Sequence, residues 1–125
     1  LRVAAERAFA MAGLAPSDMH AAQIYDGFTW IVLASLEALG FCKPGEGRDF
    51  VRDDRIRLGG ALPINTSGGL LSEGHCSGAN LVSEAVRQLR REVEAERQIA
   101  TCERILVTGE GDFHEGAALI LGAAT

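Results

Sequence analysis

The apolar positions in the first part of the chain fall into runs with two different periods. Residues 1–13 are rich in alanine, carry apolar residues near helical spacing and close on Gly13, which predicts a helix with a glycine stop. Residues 21–26 (AAQIYD) include the β-formers Ile24 and Tyr25 and predict a strand. The chain is therefore expected to open with a helix followed by a strand.

The next run, residues 28–39, is apolar nearly all round and predicts a helix that stops at Gly40. Because a helix with so little polar face is buried on more than one side, this run favours a layered α/β architecture. Residues 41–57 are polar, contain proline and glycine and lack a clear period, which predicts a surface loop. A short strand is expected around residues 61–64.

The last third of the chain contains the clearest helical pattern. Residues 81–96 predict an amphipathic helix, and two short apolar runs, residues 104–108 and 117–121, predict adjacent strands joined by GEGDFHEG. The apolar stripe of the helix consists of Val82, Val86, Leu89 and Val93. The order α-β-α-(β)-α-β-β predicts an α/β fold with a mixed β-sheet flanked by helices.

Length and charge narrow the class of protein. A chain of 125 residues, 47% hydrophobic and 23% charged, is ordinary for one soluble globular domain. The net charge of −5 argues against nucleic-acid binding, which needs a clustered basic surface. A group of arginines lies among glutamates and predicts a solvated, salt-bridged helix face. Its members are Arg87, Arg90, Arg91 and Arg97.

Three cysteines, Cys42, Cys76 and Cys102, are widely spaced and form no CxxC pair. This pattern is typical of free thiols in a reducing compartment, so we expect a cytoplasmic location. The longest apolar run is too short to span a bilayer. Because the chain opens on Leu1, inside an expected helix and without an initiator methionine, we expect it to be a fragment of a longer chain.

The most unusual stretch is residues 62–80, LPINTSGGLLSEGHCSGAN, which combines turn residues with one histidine. His75 lies between Gly74 and Gly78, just before the predicted helix, where its ring can reach a ligand. A neutral imidazole in such a place can take up and return a proton, which typically accelerates a reaction ~10²–10⁴-fold. The alternative, a turn with an N-terminal cap in which His75 is incidental, is the commoner case for an isolated histidine.

Tyr25 and Asp26 end the first predicted strand, where ligand sites of α/β proteins commonly form. The Tyr25 hydroxyl could hydrogen-bond an oxyanion or move a proton. A half-buried aromatic residue at a strand end explains the same position equally well.

The loop between the last two strands carries several acidic groups and no lysine, which argues against a phosphate cradle. A metal site from Asp112, His114 and Glu115 is conceivable, but their spacing matches no metal-binding motif, so no metal is expected. A tight hairpin or a loop that faces the substrate is the better interpretation.

Taken together, the segments IYDGF (24–28), NTSGGLLSEGHCSG (65–78) and TGEG (108–111) resemble the C-terminal half of the thiolase superfamily. The flanking segments GFCKPGEGRDFV (40–51) and EAVRQLR (84–90) are similar to its lipid-transfer-protein and sterol-carrier branch, whose members include acetyl-CoA acetyltransferases. The resemblance covers residues 1–125 as one thiolase C-terminal-like domain.

This resemblance implies an enzyme of two similar halves that acts on coenzyme A thioesters, with coenzyme A as part of the substrate and no separate cofactor. It implies that a cysteine of the N-terminal half takes the acyl group while His75 activates the thiolate and helps to form the oxyanion hole. The chain alone is then expected to be inactive. The resemblance places further residues in the substrate and oxyanion loops: Asn65, Gly68, Gly69, Gly74, Gly109 and Gly111.

Two positions depart from the thiolase pattern. Tyr25 stands where the family has an asparagine, and the TGEG segment lacks the cysteine of the family's terminal loop. Some members of this branch are thought to be retro-aldolases that use tyrosines at the positions of Tyr25 and His75. This chain therefore combines features of both activities.

The leading functional prediction is a thiolase-like acyltransferase that acts on coenzyme A thioesters of lipids or sterol side chains, with His75 and Tyr25 as catalytic residues. The alternatives are a retro-aldolase that cleaves β-hydroxyacyl-CoA, a non-catalytic subunit that binds acyl-CoA or lipid, and, more remotely, a metal-dependent hydrolase. The resemblance also implies an N-terminal thiolase half, a homodimer of the full-length protein and a small OB-fold partner with a zinc ribbon.

Overall fold

The computed structural model describes residues 1–111 and 115–123, and its centre is a sheet of three strands. These are β1 (Ala21–Gln23), β2 (Arg104–Glu110) and β3 (Gly116–Gly122), in the order β1-β2-β3. β1 and β2 run parallel, whereas β2 and β3 form an antiparallel hairpin from Arg104 opposite Gly122 to Glu110 opposite Gly116. The predicted hairpin and the mixed α/β fold are confirmed.

Helices cover both faces of this sheet. The first helix, α1 (Arg2–Ala12), stops at Gly13, which confirms the predicted glycine stop; Gly13 is left-handed with φ 66°. The α-helices are α1 (Arg2–Ala12), α2 (Thr29–Ala38), α3 (Gly47–Phe50), α4 (Gly69–Glu73) and α5 (Ala79–Arg90), with 3₁₀ turns at Pro16–Asp18 and Ala95–Arg97.

Two hydrophobic clusters lie on opposite faces of the sheet, because successive side chains of a strand point to opposite sides. Leu106 of β2 belongs to the cluster with Phe9 of α1 and Leu36 of α2. Its neighbour Ile105 belongs to the cluster with Leu81 of α5. The core therefore fixes α1 and α2 on one face and α5 on the other.

β1 ends at Gln23 rather than at residue 26. Beyond this point an amide side chain, and not a neighbouring strand, makes the hydrogen bonds to the backbone. The Oδ1 atom of Asn65 accepts a hydrogen bond from the Ile24 N–H at 2.7 Å, and its Nδ2 donates to the Ile24 carbonyl at 2.9 Å. The predicted strand of residues 21–26 is therefore too long at its carboxyl end.

The region between α2 and α5 contains more helix than predicted. α3 interrupts the predicted loop of residues 41–57, and the Gly47 N–H at its start donates to Glu37 Oε1 at 2.9 Å. The predicted strand at residues 61–64 is reduced to one isolated parallel bridge between Ala22 and Ile64. α4 was not predicted from the turn-forming residues that surround it.

α5 ends earlier than the predicted helix of residues 81–96, because Arg91 is left-handed with φ 58°. The predicted apolar stripe is not its buried side: Val82 is 39% exposed. The buried residues of the helix are Leu81, Glu84, Ala85 and Gln88. Apolar spacing failed here because two of these residues are polar and are buried with hydrogen-bond partners.

α2 buries one side, through Ile31, Ser35 and Leu36, while Trp30 on its other side is 57% exposed. The expectation that this helix is buried on more than one side is not met among the described residues. No helix of the described part of the chain is long and apolar enough to cross a bilayer. The cytoplasmic location stays a prediction.

Candidate active site

Tyr25 and His75, the two residues predicted to be catalytic, meet at the carboxyl edge of the parallel strands. The Tyr25 hydroxyl lies 3.1 Å from His75 Nε2, and the two rings are nearly perpendicular at 86°. The backbone of Tyr25 is fixed by its N–H, which donates to Thr108 Oγ1 of β2 at 2.9 Å. Gly27 makes room for the ring, because a Cβ atom there would lie 2.9 Å from Tyr25 Cε1.

His75 lies in the short connection between α4 and α5, and its side chain is exposed. Asp26, which is 3% exposed, holds the first of these helices: its carboxylate accepts hydrogen bonds from the Leu70 N–H at 2.8 Å and the Leu71 N–H at 3.4 Å. A carboxylate at this end of a helix also complements the helix dipole. Gly69 is required beside it, because a Cβ atom would lie 2.3 Å from Asp26 Oδ2.

A buried polar network supports the start of residues 65–78, the segment that contains His75 and is called the histidine loop below. Thr66 Oγ1 donates to Glu84 Oε1 at 2.7 Å and accepts from Gln23 Nε2 at 3.1 Å. Glu84 Oε1 also accepts from Gln88 Nε2 and from Arg97 Nη1, both at 2.9 Å. Arg97 Nη1 further donates to the Thr66 carbonyl at 3.2 Å. The network therefore joins the loop to β1, to α5 and to the second 3₁₀ turn.

Arg97 connects the buried Glu84 with the exposed Glu94, whose Oε2 accepts from Arg97 Nη2 at 2.7 Å. The hydrogen bond to Glu94 raises the pKa of Arg97, and the nearby charge of Glu84 acts in the same direction. The pKa of Glu94 is lowered by its own backbone N–H and then by Arg97. The sequence predicts that Arg97 lies on a solvated helix face. This prediction is wrong, because Arg97 belongs to an internal network.

Tyr25 and His75 line an open cleft of about 340 Å³. The cleft is lined by both apolar and polar side chains. The other lining residues are Phe28, Ile31, Ser77, Glu110 and Gly111. Clefts at the carboxyl ends of parallel strands are the usual ligand sites of open α/β sheets.

Among the predicted loop residues, Gly111 lines the cleft and Gly109 precedes it in β2, paired with Ala117. Asn65, Gly68, Gly69 and Gly74 do not line the cleft; they shape the loop and the two ends of α4. Glu110 was missed as a site residue, although its position at the end of a strand parallel to β1 is a signal that points to this edge.

No cysteine lines this cleft within residues 1–111 and 115–123. Cys76 is exposed and Cys42 is half-buried in a separate depression. Burial raises the pKa of the Cys102 thiol to about 11. A thiol of the kind used for acyl transfer is therefore not found among the described residues of the cleft.

The described residues contain no group of three or more metal-binding side chains. Two of the residues considered for a metal site, Asp112 and His114, lie outside the described residues. Glu115 is described, and its side chain lies close to Gly111: a Cβ atom at this glycine would come within 2.7 Å of Glu115 Oε2.

Comparisons with known proteins identify the family of this chain. The model of the thiolase C-terminal domain-like family matches residues 1–123. The 17-hydroxy-3-oxo-4-pregnene-20-carboxyl-CoA lyase of Mycobacterium tuberculosis is 46% identical over 91% of this chain and 29% of its own length. The steroid side-chain-cleaving aldolase of Thermomonospora curvata is 44% identical over 94% of this chain and 29% of its own length.

A solved structure, the Ltp2-ChsH2(DUF35) aldolase, is also similar, with a TM-score of 0.90 and 42% identity over 98% of this chain and 31% of that chain. The chain thus spans less than a third of the length of these three relatives. The fold, the family match and these relatives lead to one conclusion. The chain belongs to the thiolase C-terminal domain-like family and to its lipid-transfer and sterol-carrier branch.

Proposed function

We propose that this domain is part of a longer carbon–carbon lyase that cleaves β-hydroxyacyl-CoA by a retro-aldol reaction. The observation that carries the proposal is the contact of 3.1 Å between the Tyr25 hydroxyl and His75 Nε2 in an open cleft. Two groups that exchange a proton at this distance form an acid–base pair. The lyase and aldolase relatives support the same reaction class.

The proposed step needs no oxidant, reductant or metal. The Tyr25–His75 pair removes the proton of the β-hydroxyl group, the O–H electrons form the new carbonyl bond, and the bond between the α- and β-carbons breaks. Its electron pair passes to the α-carbon and the thioester oxygen as an enolate. A proton then returns to the α-carbon, so that an aldehyde or ketone and a shortened acyl-CoA leave.

The cleft fits such a substrate. Phe28, which is 58% exposed, and Ile31 form an apolar wall of the cleft, and the Tyr25–His75 pair adds polar groups to its lining. An aliphatic or ring-shaped acyl group can bury apolar area against this wall and present its hydroxyl to the pair. Coenzyme A is then carried by the substrate, and the reaction requires no separate cofactor.

Acyl transfer by thiolysis remains the second candidate. The exposure of His75 favours it, because a cysteine from another part of the longer protein could reach the ring and be activated there. We rank it second because the TGEG segment lacks the cysteine of the family's terminal loop and because a lyase and an aldolase are among the relatives. A binding subunit without activity is the third possibility.

The deciding experiment uses the longer protein and mass spectrometry. We expect β-hydroxyacyl-CoA to yield a shortened acyl-CoA and a free aldehyde or ketone without added coenzyme A. Tyr25→Phe keeps the ring but removes the hydroxyl, and it should lower turnover ~10²–10⁴-fold. Ser83→Ala is the control, since it removes an exposed hydroxyl of α5 that lies outside the cleft and should leave turnover unchanged.

Cleavage of β-ketoacyl-CoA that depends on free coenzyme A, with no reaction of β-hydroxyacyl-CoA, would instead establish thiolysis. Absence of both reactions in a protein that binds acyl-CoA would leave the binding subunit.

We also propose that the longer protein assembles with a second polypeptide. Support comes from the similar solved structure, whose name joins Ltp2 with ChsH2(DUF35). The small OB-fold partner with a zinc ribbon, the N-terminal thiolase half and the homodimer, all implied by the family resemblance, stay proposals. Co-expression of the longer protein with a candidate partner, followed by light scattering, tests the assembly and its stoichiometry.

A further inference from the structure

Glu110 places a carboxylate in the cleft of Tyr25 and His75, and the chemistry described above leaves this group without a role. It is the last residue of β2, which runs parallel to β1, so both strands deliver their ends to the same edge of the sheet. The Tyr25 N–H donates to Oγ1 of Thr108, which lies two positions before Glu110, and this hydrogen bond fixes β2 beside Tyr25.

The side chain of Glu110 is held in place from the helix side. Thr108 and Glu110 share one face of β2, because side chains alternate along a strand. On this face Ser35 of α2, which is 2% exposed, donates its hydroxyl hydrogen to Glu110 Oε1 at 3.4 Å. The carboxylate is half-buried, so it is partly sheltered by α2 and partly open to the cleft.

Glu110 also lies at the junction of two depressions. The cleft of Tyr25 and His75 and a neighbouring depression along α2 share Ile31 and Glu110 in their walls. The second depression continues to Trp30 and Ala34. A substrate that reacts at Tyr25 and extends along α2 therefore passes the Glu110 carboxyl group between its reacting end and its apolar end.

We propose that Glu110 is a third catalytic residue, which transfers the proton at the α-carbon of the acyl-CoA. This inference rests on the proposed lyase function. After carbon–carbon cleavage, the protonated Glu110 carboxyl group gives its proton to the α-carbon of the enolate. The enolate electrons form the new C–H bond, the thioester carbonyl is restored, and a carboxylate remains. Glu110 then takes up a proton and the Tyr25–His75 pair releases one, so the cycle closes.

The same step in reverse offers a test that does not require cleavage. In D₂O the Glu110 carboxylate should remove an α-hydrogen from propionyl-CoA and return a deuteron, which mass spectrometry detects as a gain of mass. We expect the longer protein to catalyse this exchange and Glu110→Gln to slow it ~10²–10⁴-fold, because the amide cannot carry the proton. Glu110→Asp keeps the acid and should restore part of the exchange.

Glu103→Gln is the matched control, since it makes the same change just before the opposite end of β2, where the Glu103 side chain is 65% exposed. It should exchange deuterium like the wild type. Thermal unfolding of each variant shows whether it is folded. If Glu110→Gln does not fold, the test is whether Glu110→Asp exchanges deuterium more slowly than Glu103→Gln.

The two proposals fail in different ways. If the wild type cleaves β-hydroxyacyl-CoA and Glu110→Gln still exchanges the α-hydrogen at the wild-type rate, the role of Glu110 is wrong and the lyase function stands. If the wild type does not cleave β-hydroxyacyl-CoA but exchanges deuterium in a way that depends on Glu110, the lyase function is refuted and the role of Glu110 in proton transfer stands. A wild type that exchanges no deuterium overturns the role of Glu110.

Discussion

Gly27 shows how one hydrogen atom in place of a side chain can position a reacting group. The Tyr25 ring lies over this glycine, where a Cβ atom would come within 2.9 Å of Cε1 and 3.1 Å of the hydroxyl oxygen. Such distances force the ring to move, and the ring carries the hydroxyl that contacts His75. The glycine is therefore part of the geometry of the acid–base pair, although it has no chemistry of its own.

We expect Gly27→Ala to lower turnover of the longer protein on the order of 10²-fold, because misplacing a catalytic group by about 1 Å can cost this much. Steady-state kinetics with β-hydroxyacyl-CoA measures the loss. Gly122→Ala is a suitable comparison, since its Cβ atom would meet the Glu103 carbonyl oxygen at an ordinary 3.7 Å. Unchanged turnover of Gly27→Ala would mean that the position of the ring is not critical.

Local patterns identified Tyr25 and His75 as separate candidates, and only the resemblance to the thiolase superfamily placed both in one site, because they lie 50 positions apart. Their contact depends on the Thr108 hydrogen bond and on the space above Gly27, which are properties of the folded chain. Glu110 was missed for a different reason: the same loop carries several acidic residues, and the sequence does not show which of their side chains faces the cleft. Composition of a loop is a poor guide to which side chain faces a cleft.

Among the secondary-structure elements, α5 differs most from its prediction, because its buried side carries charge. Glu84 is 3% exposed and Gln88 fully buried, and both are hydrogen-bonded within the network around Thr66. Apolar periodicity finds a helix face that excludes water, but it cannot find a face whose polar groups are matched by partners from three other segments. The helix itself was predictable, and its orientation was not.

Arg97→Met should destabilise the protein by about 2–3 kcal/mol, because it leaves the Glu84 carboxylate buried without its cation. The value lies below that of a fully buried pair because the Arg97 side chain is 32% exposed. Urea unfolding measures the change, and Arg90→Met on the exposed side of α5 should stay within about 0.5 kcal/mol of the wild type. The double variant Glu84→Gln/Arg97→Met should recover part of the loss; if it is no more stable than Arg97→Met, the buried charge is not the cause.

For the domain as a whole, the predicted fold class is confirmed, but several predicted strands and helices have the wrong length. The mixed sheet, the first helix and the hairpin follow directly from local patterns. The early end of β1 does not, because the side chain of Asn65 takes over from a strand. Replacements of this kind depend on segments that are distant in sequence, so no local pattern contains them.

Stability of the whole domain should fall at alkaline pH through Cys102. Burial raises the pKa of this thiol from its ordinary value of 9.0 to about 11, so the folded state holds its proton where the unfolded state has lost it. The contribution is fully present below pH 9 and disappears as the pH rises to 11; by linkage it amounts to about 2–3 kcal/mol. Urea unfolding at pH 8 and pH 10.5 measures it, and Cys102→Ala should show a smaller loss between the two. Equal losses in both proteins would exclude the thiol as the source.

The parallel pairing of β1 with β2 also has a consequence for the order of folding. Tyr25 and Thr108 are 83 positions apart, so the hydrogen bond that fixes Tyr25 closes most of the chain into one loop. Contacts of such long range are slow to form, because the entropy of loop closure must be overcome first. On the ribosome, the helices and the histidine loop can emerge and collapse while the cleft still lacks a wall. Until β2 has been synthesised, the edge of β1 that pairs with it in the folded domain is left open.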